Sequence, residues 1–289
     1  MAAAEQILLP PLACETHSHV FGDPQAFPVR AGHAIPSGGS LDNYLKISRA
    51  LGVQRHVLVQ ALAYGTDTRW LLQALADVGI ERSRGVIVAD ASLTPEDLAQ
   101  LHQRGVRGVR FLFGPDDAVD TAAILAMARR IAPLGWSALV QAPAAALAGA
   151  HGTLAVADCP VVLDHMGRVP PGMRTHDAVF QSLLRFLRQG GWIKLSAPYY
   201  GTENGASDFS TLRPRLHACL DAAGDRAIWG MNWPHPNLPA RHKPDEAATL
   251  RSLLAVLPDQ ASRQALFVDN PARLYGFNCL SNNEGLSVR

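Results

Sequence analysis

Hydrophobic and polar positions alternate in two rhythms along this chain: short apolar runs bounded by Gly or polar residues, and longer amphipathic stretches between them. The apolar runs predict strands over residues 12–16, 56–60, 84–90, 106–113, 137–142, 161–164, 192–197 and 227–231. The amphipathic stretches predict helices over 40–51, 66–78, 94–105, 121–132, 144–157, 177–189, 212–223 and 246–257, with a last one over 262–267. Ser40 and Thr94 are placed to cap two of them, the second reinforced by Pro95, Glu96 and Asp97. The Gly- and Pro-rich segment 23–39 is too long for a mere connector. Eight strands, each followed by a helix, predict an α/β fold of the (β/α)8 TIM barrel type, distorted, filling residues 1–289 as a single domain.

In such a barrel the chemistry sits where the strands end and the following loops begin. The residues predicted there are His17 and His19, Gln60, Arg110, Gln141, Asp164 and His165, Ser196, then Asn232 and His235. His17 and His19 share one face of their strand because side chains alternate with period two, and His165 approaches from the opposite side of the mouth. Three imidazoles arranged so can hold a divalent metal such as zinc, with Asn232 completing the set, or can polarise a substrate carbonyl oxygen. Both readings stay open. Arg110 lies on a strand, where a buried guanidinium needs an anion: Asp90, Asp164 or a substrate carboxylate. Arg168, Tyr199 and Tyr200 are placed to bind or wall a substrate, as are Gln60, Gln141 and His235.

A formal charge of +1, from 26 basic and 25 acidic residues, carries no electrostatic footprint for nucleic acid or an anionic membrane and favours a small-molecule partner. Self-association is left open. The four cysteines, 14, 159, 219 and 279, are too scattered for a zinc or redox motif and read as reduced thiols of a cytoplasmic protein. Residues 1–13 lack the pattern of a signal peptide, and no apolar run is long enough for a membrane span.

Four motifs, in order along the chain, carry a family resemblance: Glu15-Thr16-His17-Ser18-His19-Val20-Phe21-Gly22, Val162-Leu163-Asp164-His165-Met166-Gly167-Arg168, Trp229-Gly230-Met231-Asn232-Trp233-Pro234-His235-Pro236-Asn237 and Val268-Asp269-Asn270-Pro271-Ala272-Arg273-Leu274-Tyr275. With them the sequence resembles the amidohydrolase superfamily, in the branch of 2-pyrone-4,6-dicarboxylate lactonase and related lactone hydrolases. The resemblance implies hydrolysis of an anionic lactone from aromatic-compound breakdown. In it His17, His19 and His165 polarise the carbonyl or hold zinc, and an acid at position 232 accepts a proton from water. The pyrone enzymes look metal-independent, whereas some relatives use zinc.

Three departures narrow what carries over. Glu15 stands in place of the usual Asp. The segment 196–201 lacks a second carboxylate-binding Arg, and Gln141 stands where an aromatic hydroxyl is usual. Most consequential, position 232 holds an amide, which matches a carboxylate in size but cannot deprotonate water. The sequence therefore predicts a lactonase of strongly reduced activity, an engineered Asp-to-Asn variant that still binds its ligand. The alternatives are a lactone isomerase acting on sugar-acid lactones, a metal-dependent decarboxylase, which another branch of the superfamily suggests, and a binding protein without catalysis.

Overall fold

The computed structural model describes residues 9–257 and 259–278; Cys279 and the first eight residues of the predicted leaderless N-terminus lie outside them. One sheet holds eight parallel strands in sequential order: β1 Cys14–Ser18, β2 Arg55–Val59, β3 Ser83–Val88, β4 Val106–Leu112, β5 Ser137–Gln141, β6 Val161–Leu163, β7 Trp192–Leu195 and β8 Ala227–Trp229. Between and after them run α1 Leu41–Ala50, α2 Arg69–Val78, α3 Pro95–Gln103, α4 Thr121–Ile131, α5 Ala144–Leu154, α6 Ala178–Arg188, α7 Arg213–Ala223 and α8 Glu246–Leu254. The chain closes with α9 Gln260–Gln264, a π-helical turn Ala265–Asp269 and α10 Asn270–Tyr275. The helices pack their apolar faces on the outside of the sheet, so every strand is buried on both sides, as a parallel sheet requires.

The predicted caps are present: Ser40 Oγ accepts from Asn43 N, and Thr94 with Asp97 forms a reciprocal capping box. Boundaries differ from the sequence reading where the backbone turns. Leu12, with φ of 66°, bends the chain into β1, which therefore begins two residues later than predicted. At the other end, β6, β7 and β8 stop early because His165, Ala197 and Asn232 adopt positive φ and leave the ladder. The predicted helix over 66–78 starts only at Arg69, since the Gln60 amide holds the carbonyls of Gly65 (2.6 Å) and Asp67 (3.1 Å) in a loop.

The ring is closed between β8 and β1 by something other than a regular ladder. Beyond the strand ends, Asn232 N donates to His17 O and His19 N to Trp233 O, each at 2.7 Å. Below them Glu15 supplies the stitch. One carboxylate oxygen accepts from the amides of His17 and Met231, both at 2.7 Å; the other accepts from the hydroxyls of Ser18 (2.8 Å) and Tyr44 (2.9 Å). Burial pushes the Glu15 carboxyl up, and these four donors pull against that push. The two backbones come so near that a Cβ at Gly230 would lie 2.6 Å from the Cβ of His17.

Within the barrel, a second apolar cluster joins Val57, Val86, Leu139, Val162 and Ile228 to Leu274, Tyr275 and Phe277 of the C-terminal segment. The ring of Phe277 also lies under the guanidinium of Arg84, 4.5 Å away. Polar side chains occupy the strand ends instead.

Candidate active site

Six of the seven non-glycine residues with positive φ among those described lie just past β6, β7 and β8: His165, Met166, Arg168, Ala197, Asn232 and His235. Each costs on the order of 1–2 kcal/mol of backbone strain, and strain concentrated at one rim is how a fold aims side chains that regular structure would point elsewhere. A cavity of about 350 Å³ opens at this rim, lined by His19, Arg110, Gln141, His165, Tyr200 and Asn232 among others. That volume suits a small molecule.

At its floor lies a buried ionic cluster. Lys194, on β7 and fully buried, puts its Nζ 3.1 Å from Asp164 Oδ1 and 3.0 Å from His17 Nδ1. His17 Nδ1 is itself 3.3 Å from Asp164 Oδ1, and Arg110 Nε is 3.6 Å from Oδ2. Burial by itself would raise the Asp164 carboxyl, yet Lys194, His17 and His165 hold it well below the usual carboxylate range. Burial lowers Lys194 in turn, against the pull of Asp164.

The three histidines are neutral. Burial pushes His17 and His165 well below the ordinary imidazole value despite Asp164, and burial with Arg110 nearby takes His19 to about 3. His19 Nδ1 meets the carbonyl of Val59 at 2.8 Å, so its proton is on Nδ1 and Nε2 carries a lone pair. His19 therefore accepts a hydrogen bond and cannot donate one to a substrate oxygen through Nε2. His17 Nε2 is buried without a protein partner, and its ring lies 4.9 Å from that of His19 and 4.8 Å from that of His165. His165 Nδ1 pairs with Ser196 Oγ at 2.8 Å.

The remaining sequence candidates are distributed unevenly. Gln141 Oε1 accepts from Arg110 Nη2 at 2.8 Å, steering the guanidinium at the cavity edge. Arg168 stacks its guanidinium 3.6 Å over the Tyr200 ring. Gln60, read from sequence as a substrate contact, instead ties down the loop after β2, and its Oε1 accepts from Val88 N at 3.2 Å. Tyr199 and His235, also read as substrate contacts, sit behind Asn232: Asn232 Nδ2 donates to Tyr199 Oη at 2.7 Å, Tyr199 Oη is 3.3 Å from His235 Nδ1, and His235 Nε2 is 2.6 Å from Glu246 Oε1. Lys194, Ser196 and Glu246 complete the arrangement. Of these, sequence reading had placed Ser196 at a strand end but had overlooked Lys194, although a lone Lys inside the apolar run Trp192-Ile193-Lys194-Leu195 demands a buried anion as surely as Arg110 does.

The metal set predicted from sequence was His17, His19, His165 and Asn232. Among the described residues the atoms that converge are those of His17, Asp164 and His165, all within 4.8 Å of one another. Through Asp164 Oδ1 and His17 Nδ1 this set does not fit a divalent ion, because an ion bonded to both would be pressed against the ammonium 3.0–3.1 Å from each; His17 Nε2 and Asp164 Oδ2 are buried without a hydrogen-bond partner. The amide of Asn232 is a poor ligand and its nitrogen is occupied.

The family model for amidohydrolase matches residues 14–277, a range that takes in all eight strands of the barrel. The chain belongs to this family. It is 33% identical over 285 residues to the 2-pyrone-4,6-dicarbaxylate hydrolase of Comamonas testosteroni, covering 93% of this chain and 92% of that one. It is 28% identical to the D-galactarolactone isomerase of Agrobacterium fabrum, covering 91% and 90%. Among solved structures, one from Pseudomonas putida provisionally named 2-pyrone-4,6-dicarboxylic acid hydrolase superposes with a TM-score of 0.81 at 28% identity, covering 94% of this chain and all of the other. Among the described residues no helix is long and apolar enough to cross a membrane, and Cys14, Cys159 and Cys219 are buried free thiols.

Proposed function

We propose that this protein isomerises a carboxylated hydroxy-lactone by moving the acyl group from the ring oxygen to another hydroxyl of the same molecule. The observation that carries the reading is the amide at position 232, buried at the cavity wall with its nitrogen bound to Tyr199. A water nucleophile needs a base, worth about 10²- to 10⁴-fold, and an amide supplies none. A hydroxyl already attached to the substrate has an effective molarity on the order of 10⁵–10⁸ M when well oriented. Without a base, the internal nucleophile wins.

In this reading the substrate carboxylate meets Arg110. Lys194, donating to His17 Nδ1, puts the imidazole proton on Nε2, which has no protein partner and in this reading meets the lactone carbonyl oxygen as negative charge develops there. The attacking hydroxyl forms the new C–O bond, the ring C–O bond breaks, and the proton lost by the first oxygen ends on the second. That proton moves within the substrate, from the attacking hydroxyl to the departing ring oxygen, between the neutral rings of His19 and His165 that line the cavity. Nothing is consumed or released. The galactarolactone isomerase among the relatives supports this chemistry, and the floor cluster supplies it without a metal.

A second reading is favoured by the names of the pyrone dicarboxylate relatives: a hydrolase of an anionic lactone whose proton acceptor at 232 is missing, the base-deficient variant that the sequence suggests. Incubating carboxylated lactones with the protein in H₂¹⁸O separates the two. An isomer without ¹⁸O supports isomerisation; a ring-opened acid carrying ¹⁸O overturns it. Asn232→Asp sharpens the test, because a base-deficient hydrolase should gain water-dependent opening by about 10²- to 10⁴-fold. An isomerase should gain hydrolysis only while losing isomerisation.

A further inference from the structure

Behind Asn232, the chain of contacts through Tyr199 and His235 to Glu246 runs in one direction only. Glu246 stands in the first turn of α8, and its carboxylate can only accept, so the short bond to His235 places the imidazole proton on Nε2. In a neutral His235, Nδ1 is then a lone pair, and the proton between it and Tyr199 Oη comes from the phenol. Burial, with Tyr200 adding to it, pushes the Tyr199 hydroxyl well above its ordinary value, so the phenol keeps its proton to donate. Having donated it to His235, the phenol oxygen accepts from Asn232 Nδ2. Each link dictates the next.

We propose that Glu246, His235 and Tyr199 form a polarised relay that fixes the flip of the Asn232 carboxamide, directing Oδ1 into the cavity to accept the hydrogen bond of the substrate hydroxyl that attacks the lactone carbonyl. The proposal rests on the isomerase reading for the identity of that hydroxyl. Asn232 orients the nucleophile and takes no proton. With its hydrogen held by Oδ1, the hydroxyl turns a lone pair toward the carbonyl carbon; the proton then passes to the departing ring oxygen as described above. The backbone of Asn232 is held equally firmly, its N–H on His17 O at 2.7 Å and its C=O accepting from His235 N at 2.8 Å, so only the amide flip is left for the relay to decide.

The relay is also matched to an amide. A carboxylate at 232 would demand the Tyr199 proton for itself, and His235 Nδ1 would have to acquire a second proton to satisfy the phenol oxygen. Tyr199, His235 and Glu246 are thus positioning residues, none of which lines the cavity.

The test compares wild type with Tyr199→Phe and Glu246→Gln, each checked for native thermal unfolding. Tyr199→Phe removes the acceptor for Asn232 Nδ2 and should lower kcat for isomerisation by about tenfold or more, the rate equivalent of one oriented hydrogen bond, while KM changes little. Glu246→Gln can present either an acceptor or a donor to His235 and should fall between the two. In ¹⁵N NMR of the free protein, the Asn232 side-chain amide should give one sharp, slowly exchanging, downfield-shifted proton in wild type and lose it in Tyr199→Phe. An unchanged amide signature in folded Tyr199→Phe, or unchanged kcat, overturns the relay. Failure of wild type to isomerise any carboxylated lactone would sink the functional reading alone, because the amide signature is read without substrate.

Discussion

Lys194 is the residue on which the floor of the site turns. Its ammonium lies within hydrogen-bond reach of both His17 Nδ1 and Asp164 Oδ1, and an ammonium can only donate to them. Lys194→Met should lower turnover by roughly 10- to 100-fold, the usual cost of removing a group that orients a reacting one. It should also cost about 3–5 kcal/mol of stability, since Asp164 is left buried with fewer partners. Denaturant unfolding and steady-state kinetics on the same preparation check both; unchanged kinetics would remove Lys194 from the mechanism. The sequence showed this residue poorly. His17, His19 and His165 stood out because His is rare at three strand ends together, whereas Lys194 lay in an apolar run where a single charge reads as a strand interruption. Gln60 shows the converse: a polar side chain at a strand end whose partners, the carbonyls of Gly65 and Asp67, come from a loop whose path no periodicity reveals.

At the scale of elements, all eight strands and the helices after them were legible, because apolar runs and amphipathic stretches differ in period. The strand ends were not, since β6, β7 and β8 stop where non-glycine residues take positive φ, a conformation tertiary contacts impose. The seam between β8 and β1 was equally hidden, because it depends on a Glu reaching across to a neighbouring backbone. Gly230→Ala probes it. The added methyl would meet His17 Cβ at 2.6 Å and Glu15 Oε1 at 3.3 Å, and forcing it into so tight a place should cost about 1–3 kcal/mol. A chemical denaturation midpoint equal to that of wild type would show that the seam yields more easily than its packing implies.

The molecule as a whole is expected to prefer neutral to acidic conditions. His17 and His165 are held well below their ordinary values, His19 at about 3, and His56 and His151 at about 4, each mainly by burial. Below pH about 6.5 the unfolded chain takes protons on these rings and the folded one does not, so stability falls with falling pH until the folded values are reached. Each ring contributes up to about 1.4 kcal/mol per pH unit in that window. Asp164, held low when folded, acts in the same direction: its contribution is present above about pH 3.9 and is lost as pH falls toward its folded value. Glu15, raised by burial, opposes them weakly over the acidic end. Unfolding midpoints should stay level from pH 8 to about 6.5 and then decline down to pH 4, and a profile flat throughout would contradict the neutral, buried state of the histidines.

The Glu15 stitch has a mechanical meaning as well. Elsewhere in the ring, neighbouring strands are joined by backbone ladders that share load over several peptide groups. Here two backbone hydrogen bonds, the Thr16 hydroxyl on Trp229 O and one carboxylate make the join, and the amide that this carboxylate grips on β1 belongs to His17, whose ring meets Lys194 in the ionic floor. Any breathing of the barrel at this seam is therefore a displacement of the His17 imidazole. Closure of the fold and alignment of the candidate site are one degree of freedom, so a local opening event that would be harmless at another strand pair would here move the ring on which the proposed chemistry depends.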